Sequence, residues 1–200
     1  MGTPERADLP IDGGHPERGD AARNRRLLLD AARSLIAERS PEEITTDDIA
    51  VAAGVGKGTL FRRFGSRAGL MIELLDEDER AMQQVFMFGP PPMGPGGAPL
   101  DRLLAFGRER LRFVYRHRGI LVQVNRDPEA RYNAVFAVLH AHVRMLLESA
   151  ATTGDLDAQA DALLALLDAD YVGYQIGTRG RTPDVIGAAW ESLARKLCGH

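Results

Sequence analysis

Apolar residues return every three or four positions through almost the whole chain beyond residue 23, and no stretch of useful length alternates apolar with polar. That period keeps one side of an α-helix apolar and cannot do the same for a strand. The pattern predicts an all-α fold of about nine helices. One internal segment escapes it: GPPPMGPGGAP, residues 89–99, is too rich in proline and glycine to be helical and reads as a loop.

Helix limits follow from capping chemistry. Leu28, Ala31, Ala32, Leu35 and Ile36 mark a first helix running from Asn24 to just before Pro41. Thr45, followed three residues later by Asp48, resembles a capping box, and Ile49, Ala50 and Ala53 then form a short stripe stopped by Gly54. Lys57 to Phe64 makes a third helix, ended by Gly65, and Ser66 caps a longer fourth through Leu70, Leu74, Leu75, Met82 and Val85. Beyond the loop, Leu100–His117, Pro128–Ala150, Leu156–Gly177 and Pro183–Leu197 read as helices, with a short connector around Gly119–Asn125. The first twenty residues lack periodicity and read as a disordered arm. The expected organisation is an arm over 1–20, a three-helix domain over 21–65 and a larger helical bundle over 66–200.

Composition narrows the class. With 44% hydrophobic residues the chain can bury a core, and no run approaches the roughly 18 apolar residues of a membrane span. The first twenty residues carry no apolar signal-like segment, so a cytoplasmic location is expected, away from membranes. Cys198 is the sole cysteine and can form no intramolecular disulfide. Net charge is −3, yet residues 21–68 hold nine Lys/Arg against six acids, and the window from Gly54 to Leu70 holds Lys57, Arg62, Arg63 and Arg67 with no acid at all. Such local basicity suits a polyanionic partner.

The second and third helices are separated only by Ala53-Gly54-Val55-Gly56, the turn length of a helix-turn-helix. Ala50 is small where the helices cross, and Leu60 fills the space between them. At 100° per residue Phe64 shares the buried side with Leu60, while Gly58 and Arg62 lie opposite, flanked by Thr59 and Phe61. Glycine permits close approach to a major groove, arginine can bond guanine O6 and N7, and a threonine methyl or aromatic ring can touch thymine methyls. Arg63, Arg67, Thr46 and Lys57 surround that face as candidate phosphate contacts, and the amides behind Ser66 offer an anion site. Gly54-Val55-Gly56-Lys57-Gly58-Thr59 is not a nucleotide P-loop, because Gly58 separates Lys from Thr, Val51 stands at the early Gly place and a helix precedes it.

The run TTDDIAVAAGVGKGTLFRRFGSRAGL, residues 45–70, resembles the N-terminal signature of the TetR (tetracycline-repressor-like) family. The likeness lies in the paired threonines, the Ile-Ala, the Ala-Gly-Val turn, the Gly-Thr-Leu-aromatic run and the closing Phe-x-Ser-Arg, all at unbroken spacing. It spans about residues 24–80; the remainder is similar only in being helical and of suitable length. The resemblance implies DNA contact at Thr46, Lys57, Gly58, Thr59, Phe61, Arg62, Arg63 and Arg67, and the anion site behind Ser66 joins them as a candidate contact. Phe61 stands where the family usually has tyrosine, so a phenolic bond to phosphate is lost. Arg62 and Arg63 replace commoner neutral or histidine residues, which points to a different operator. It further implies a homodimeric, ligand-responsive regulator of transcription, commonly a repressor, that binds double-stranded operator DNA and is released by a small-molecule effector.

For that effector, Phe106, Arg110, Phe113 and His117 form a second stripe on the helix after the loop, beside the core stripe Leu100, Leu103, Leu104, Leu111 and Val114. Gln123, Asn125, Tyr132, Asn133, Phe136, His140, Tyr171 and Tyr174 could add to an aromatic cavity, although plain core packing is the first explanation for any one aromatic. An arginine between two phenylalanines must be paired, exposed or facing an anionic ligand, with Asp168 or Asp170 as the expected ion-pair partner. For dimerisation, Ala162, Leu166, Ala169, Gly173 and Gly177 form a mostly small-residue seam, and Ile186, Ala189, Trp190, Leu193 and Leu197 a second stripe, pairing the last two helices with their symmetry mates. The same stripes could pack within one subunit. His140 and His142 point about 200° apart on a helix, so no metal is expected, and no cofactor or catalytic set is visible. Two other readings stay open from the residues alone: a helical protein-interaction module, and a helical-bundle enzyme working in the C-terminal pocket.

Overall fold

The computed structural model describes residues 16–39, 43–124 and 134–199, and among them it contains nine α-helices and no strand. They are α1 (Pro16–Glu38), α2 (Thr46–Ala53), α3 (Lys57–Phe64), α4 (Arg67–Phe88), α5 (Pro99–Val124), α6 (Ala134–Ser149), α7 (Leu156–Ala165), α8 (Ala169–Gly177) and α9 (Pro183–Leu197).

The short helices are fixed by their ends. Thr45 Oγ1 accepts from the Asp48 amide at 3.1 Å while the Thr45 amide donates to Asp48 Oδ2 at 2.8 Å, completing the capping box of α2. The amide held on it keeps the Asp48 carboxyl below the usual carboxylate range. Gly54 closes α2 in the left-handed region at φ +65°, which a Cβ would oppose, and α3 begins three residues later. Ser66 Oγ accepts from the Gly69 amide at 3.0 Å and opens α4.

Three boundaries differ from the sequence expectation. α1 begins at Pro16, so residues 16–20 are helical where a disordered arm was expected; proline is pre-set for the first helical position. α5 runs unbroken through the expected connector to Val124, because Ile120, Leu121 and Val122 pack against the core and outweigh the roughly 1 kcal/mol that Gly119 costs in a helix. The single helix expected over 156–177 is two helices. Tight turns from Leu167 to Leu164 and Asp168 to Ala165 end α7, and Asp168 Oδ1 accepts from the Asp170 amide at 2.9 Å to open α8. The first part of the helix expected from Pro128, up to residue 133, lies outside the described residues.

Two apolar cores result. The first joins Leu28, Leu29 and Ala32 of α1 to Ile49, Leu60, Leu70, Met71 and Leu74. The second gathers Phe86, Phe106, Val114, Val143, Leu146, Leu163, Val172 and Trp190 with their neighbours. Both contain residues of α4, so the division falls inside that helix, between Leu74 and Leu75, and Ile120 of α5 touches both. In the second core Trp190 packs against α5 at Gly107 and donates from Nε1 to Leu163 O at 2.8 Å.

That packing corrects part of the expected dimer stripe. Ala169, Ile186 and Trp190 are buried inside their own subunit, and Leu166, Leu193 and Leu197 pack partly against the same core. The α7–α8 break also means that the small-residue seam does not run along one helix. No helix among the described residues is long and apolar enough to cross a membrane.

Candidate nucleic-acid interface and buried polar core

Leu60 is 0% exposed and anchors α3 on α1 and α2, so the opposite side of a two-turn helix has nowhere to go but outward. Gly58, Arg62 and Arg63 are exposed, Phe61 is 43% exposed, and Thr59 is half-buried at the edge, the arrangement that 100° per residue demands. Lys57 ion-pairs with Asp47 of α2 at 2.8 Å on the surface, where such a pair contributes little and can be exchanged for a phosphate. Arg67 is partly committed to the fold, its Nε donating to Ile44 O at 2.6 Å. Ser66 is exposed with its hydroxyl engaged in the α4 cap, and Thr46 is half-buried at the start of α2.

Beside this face, Arg62, Arg63 and Thr59 share a cleft of about 470 Å³ with Asn24 and Arg25 of α1. The sequence reading missed Asn24 and Arg25. The signal was present in the run Arg23, Arg25, Arg26, but nothing in a linear pattern brings the start of α1 beside α3.

Behind the interface, α4 presents a row of acids to two other helices. Arg25 of α1 binds Glu73 and Glu77. Arg33 of α1 donates to Asp78 Oδ1 from Nε at 3.0 Å and Nη2 at 2.7 Å. The other Asp78 oxygen lies 3.0 Å from His117 Nε2 of α5, and Glu79 takes Arg110 of α5 at 2.6 Å. Burial alone would raise the Asp78 carboxyl, but the hydrogen bonds from His117 and Arg33 outweigh it and hold the group below its usual range.

The expected effector residues divide. Phe106, Arg110, Phe113 and His117 are brought together, with the Arg110 guanidinium 4.8 Å from the Phe113 ring centre. The Arg110 partner is Glu79, not Asp168 or Asp170, because α4 brings that carboxylate to 2.6 Å from Arg110 Nη1. Phe106 meets Phe86 edge-on at 5.6 Å, and the His142 ring sits against both, 4.3 Å from Phe86 and 5.2 Å from Phe106. Burial among these rings, with the charge of Arg102, pushes the His142 imidazole down to about 4. His117 Nδ1, His142 Nε2 and Gln175 Oε1 are buried and make no hydrogen bond among the described residues.

Other members of the expected set stand apart. Tyr174 is 51% exposed and points away from the core, and His140 faces Asp161 of α7 at 3.4 Å. Phe136 and Tyr171 are half-buried. Asn125, Tyr132, Asn133 and the side chain of Gln123 lie outside the described residues. Asp78, Glu79, His142 and Gln175 were missed, since a polar residue in a helical stripe carries no mark of burial. Among the described residues no group of three or more His, Cys, Asp or Glu could hold a metal ion.

Residues 28–74, from the first to the last residue of the first core, match the profile of the bacterial regulatory proteins of the tetR family. Over this segment the chain is similar to the DNA-binding domain of tetR-family regulators. The HTH-type transcriptional regulator AlkX of Mycobacterium tuberculosis is 37% identical over 70 residues, 35% of this chain and 33% of that protein. The HTH-type transcriptional repressor LfrR of Mycolicibacterium smegmatis is 32% identical over 116 residues, 56% of this chain and 58% of its own. The matches thus span about a third to three-fifths of these relatives' own length. A crystal structure of a transcriptional regulator from Saccharomonospora viridis in complex with choline superposes with a TM-score of 0.67, covering 86% of this chain and 95% of that one at 21% identity. The shared fold therefore extends through the C-terminal helices, where sequence likeness has faded.

Proposed function

We propose that the chain is a homodimeric DNA-binding regulator of transcription whose affinity for its operator is set by a small molecule held in the second core, a repressor released when that molecule binds. The helices around the first core, up to Leu74 of α4, do the reading, and those around the second core, from Leu75 on, sense and pair, a division nine residues later than the expected 65/66 boundary. The observation that carries this reading is the outward face of α3, where Gly58, Thr59, Phe61 and Arg62 stand over a buried Leu60, ringed by Lys57 and Arg63 with no acid between residues 54 and 70. That face has the width and chemistry of a major-groove reader. LfrR, similar over more than half of this chain, is itself a repressor, and the Saccharomonospora viridis protein of the same fold holds choline.

Support for the effector site comes from the buried polar atoms on α5, α6 and α8 that make no hydrogen bond, since an unmatched buried acceptor or donor costs about 1–3 kcal/mol unless something meets it. Support for pairing comes from α8, where a Cβ added at Gly173 or Gly177 meets nothing within 4 Å of its own subunit, and from the exposed neighbours Ala162, Tyr174 and Val185. The protein acts by binding in the cytoplasm, not by catalysis.

Selection of duplexes from a random-sequence DNA pool by the full-length protein tests the reading. A defined, two-fold symmetric consensus is expected, with affinity falling steeply as salt rises. Recovery of unenriched sequence would overturn it.

A further inference from the structure

Asp78 touches both halves of the molecule through its two oxygens. Oδ1 takes two N–H groups of Arg33, which stands on α1, and α1 carries Leu28, Leu29 and Ala32 into the same core as Ile49 of α2 and Leu60 of α3. Oδ2 faces Nε2 of His117, which is 0% exposed on α5 among the residues of the second core. Arg33 also reaches Asp30 at 2.8 Å and Glu77 at 3.5 Å, while Glu79, the next residue, is held separately by Arg110. Directly along α5 from His117, Ile120 is the apolar side chain that packs against both cores. The polar joint and the apolar contact therefore lie one helical turn apart.

We propose that Asp78 is a positioning residue that couples the state of His117 in the second core to the placement of α1, and through α1 to the reading helix α3. The chemistry sets a direction. An ionised Asp78, paired with Arg33, can only accept, so Nε2 of His117 is the donor to it. Nδ1, the ring's other nitrogen, is buried and without a hydrogen bond among the described residues. A group that donates to Nδ1 polarises the ring and strengthens its bond to Asp78; a group that turns or displaces the ring frees Oδ2 and leaves the carboxylate to Arg33 alone. Either change alters how α4 and α5 hold α1. This rests on the reading of the chain as an operator-binding protein and names the side chains through which its two halves communicate.

The test is a double-mutant cycle on DNA affinity that needs no knowledge of the effector. The probe is a duplex selected from random-sequence DNA by the wild-type full-length protein, and the readout is its Kd by fluorescence anisotropy. His117→Leu removes the donor to Asp78 and should shift Kd by about tenfold, within the range usual for coupled sites. His117→Gln, which can return an N–H to the Nε2 position, should restore affinity to within about threefold. In an Arg33→Met background, where Asp78 no longer holds α1, His117→Leu should change Kd by less than about twofold. Where His117→Leu fails to fold, Asp78→Asn takes its place in the cycle, with the same expectation. The same factor in both backgrounds, or lowered thermal midpoints with Kd unchanged throughout, would make the Arg33–Asp78–His117 chain a purely structural tie and overturn the proposal. A wild type that enriches no duplex overturns the operator-binding reading itself, and the joint with it.

Discussion

Gly107 of α5 faces the Trp190 ring of α9. A Cβ built there would overlap the Trp190 ring, meeting Cε3 at 2.6 Å and Cζ3 and Cη2 closer still. Substitution by alanine sets two effects against each other. Replacing a helix-interior glycine stabilises the helix by about 1 kcal/mol. Forcing a methyl into a filled core costs about 1–3 kcal/mol, and displacing the indole strains the hydrogen bond from Nε1 to Leu163 O, worth a further 1 kcal/mol or so. The ring is 3% exposed and the obstructing atoms belong to a rigid bicycle, so the overlap cannot be relieved by a flexible chain end. Gly107→Ala is therefore expected to lose about 2 kcal/mol, a fall in thermal midpoint of roughly 4–8 °C for a chain of this size. Trp190 is the sole tryptophan, so its emission reports the same event directly and should move with the substitution. A variant more stable than wild type by the helix-propensity gain alone, with unshifted emission, would refute the packing argument.

Further expectations follow from single side chains. Because His142 is held near 4 when folded and titrates near 6.5 when unfolded, the unfolded chain binds the proton first, and stability should fall by up to about 3 kcal/mol as pH drops from 6.5 to 4; His142→Leu should flatten denaturant midpoints across that window, and an unchanged slope would count against the burial assigned to the ring. Arg110→Ala strands Glu79 in the interior and should cost about 3–5 kcal/mol by chemical denaturation, whereas replacing both residues by methionine should recover most of the loss; equal losses in the two variants would contradict the ion-pair account. Arg62→Ala should relax selection at one base-pair position by about 1–3 kcal/mol while leaving non-specific affinity nearly intact, and an identical consensus from the variant would remove Arg62 from base reading. Gly173→Leu, placed where its own subunit leaves open space, should weaken self-association in sedimentation without lowering the protomer's secondary structure, and an unaltered dimer would move the interface off α8.

What could be read directly was what depends on near neighbours. Thr45 and Asp48 cap α2 through contacts three residues apart, Gly54 turns the chain at φ +65°, and Leu60 and Arg62 part to opposite sides of α3 by the pitch of a helix, so the helix-turn-helix and its outward face are local properties. Helix ends within the second core were less legible, because Ile120 and Leu121 are carried through the expected connector by partners distant in the chain, and the α7–α8 break depends on burying Leu167. The buried polar residues were the least legible of all. Arg110 was recognisable as a cation needing a partner, yet Asp168, Asp170 and Glu79 are equivalent in composition, and only the placement of α4 against α5 selects Glu79. Asp78, one residue earlier on α4, is likewise an unremarked acid in a polar run until Arg33 and His117, 45 and 39 residues away, close on its two oxygens. Short-range stereochemistry determined the reading helix in the sequence by itself, while the pairing of charges across helices, being a matter of which low-dielectric surfaces meet, was decided by tertiary packing.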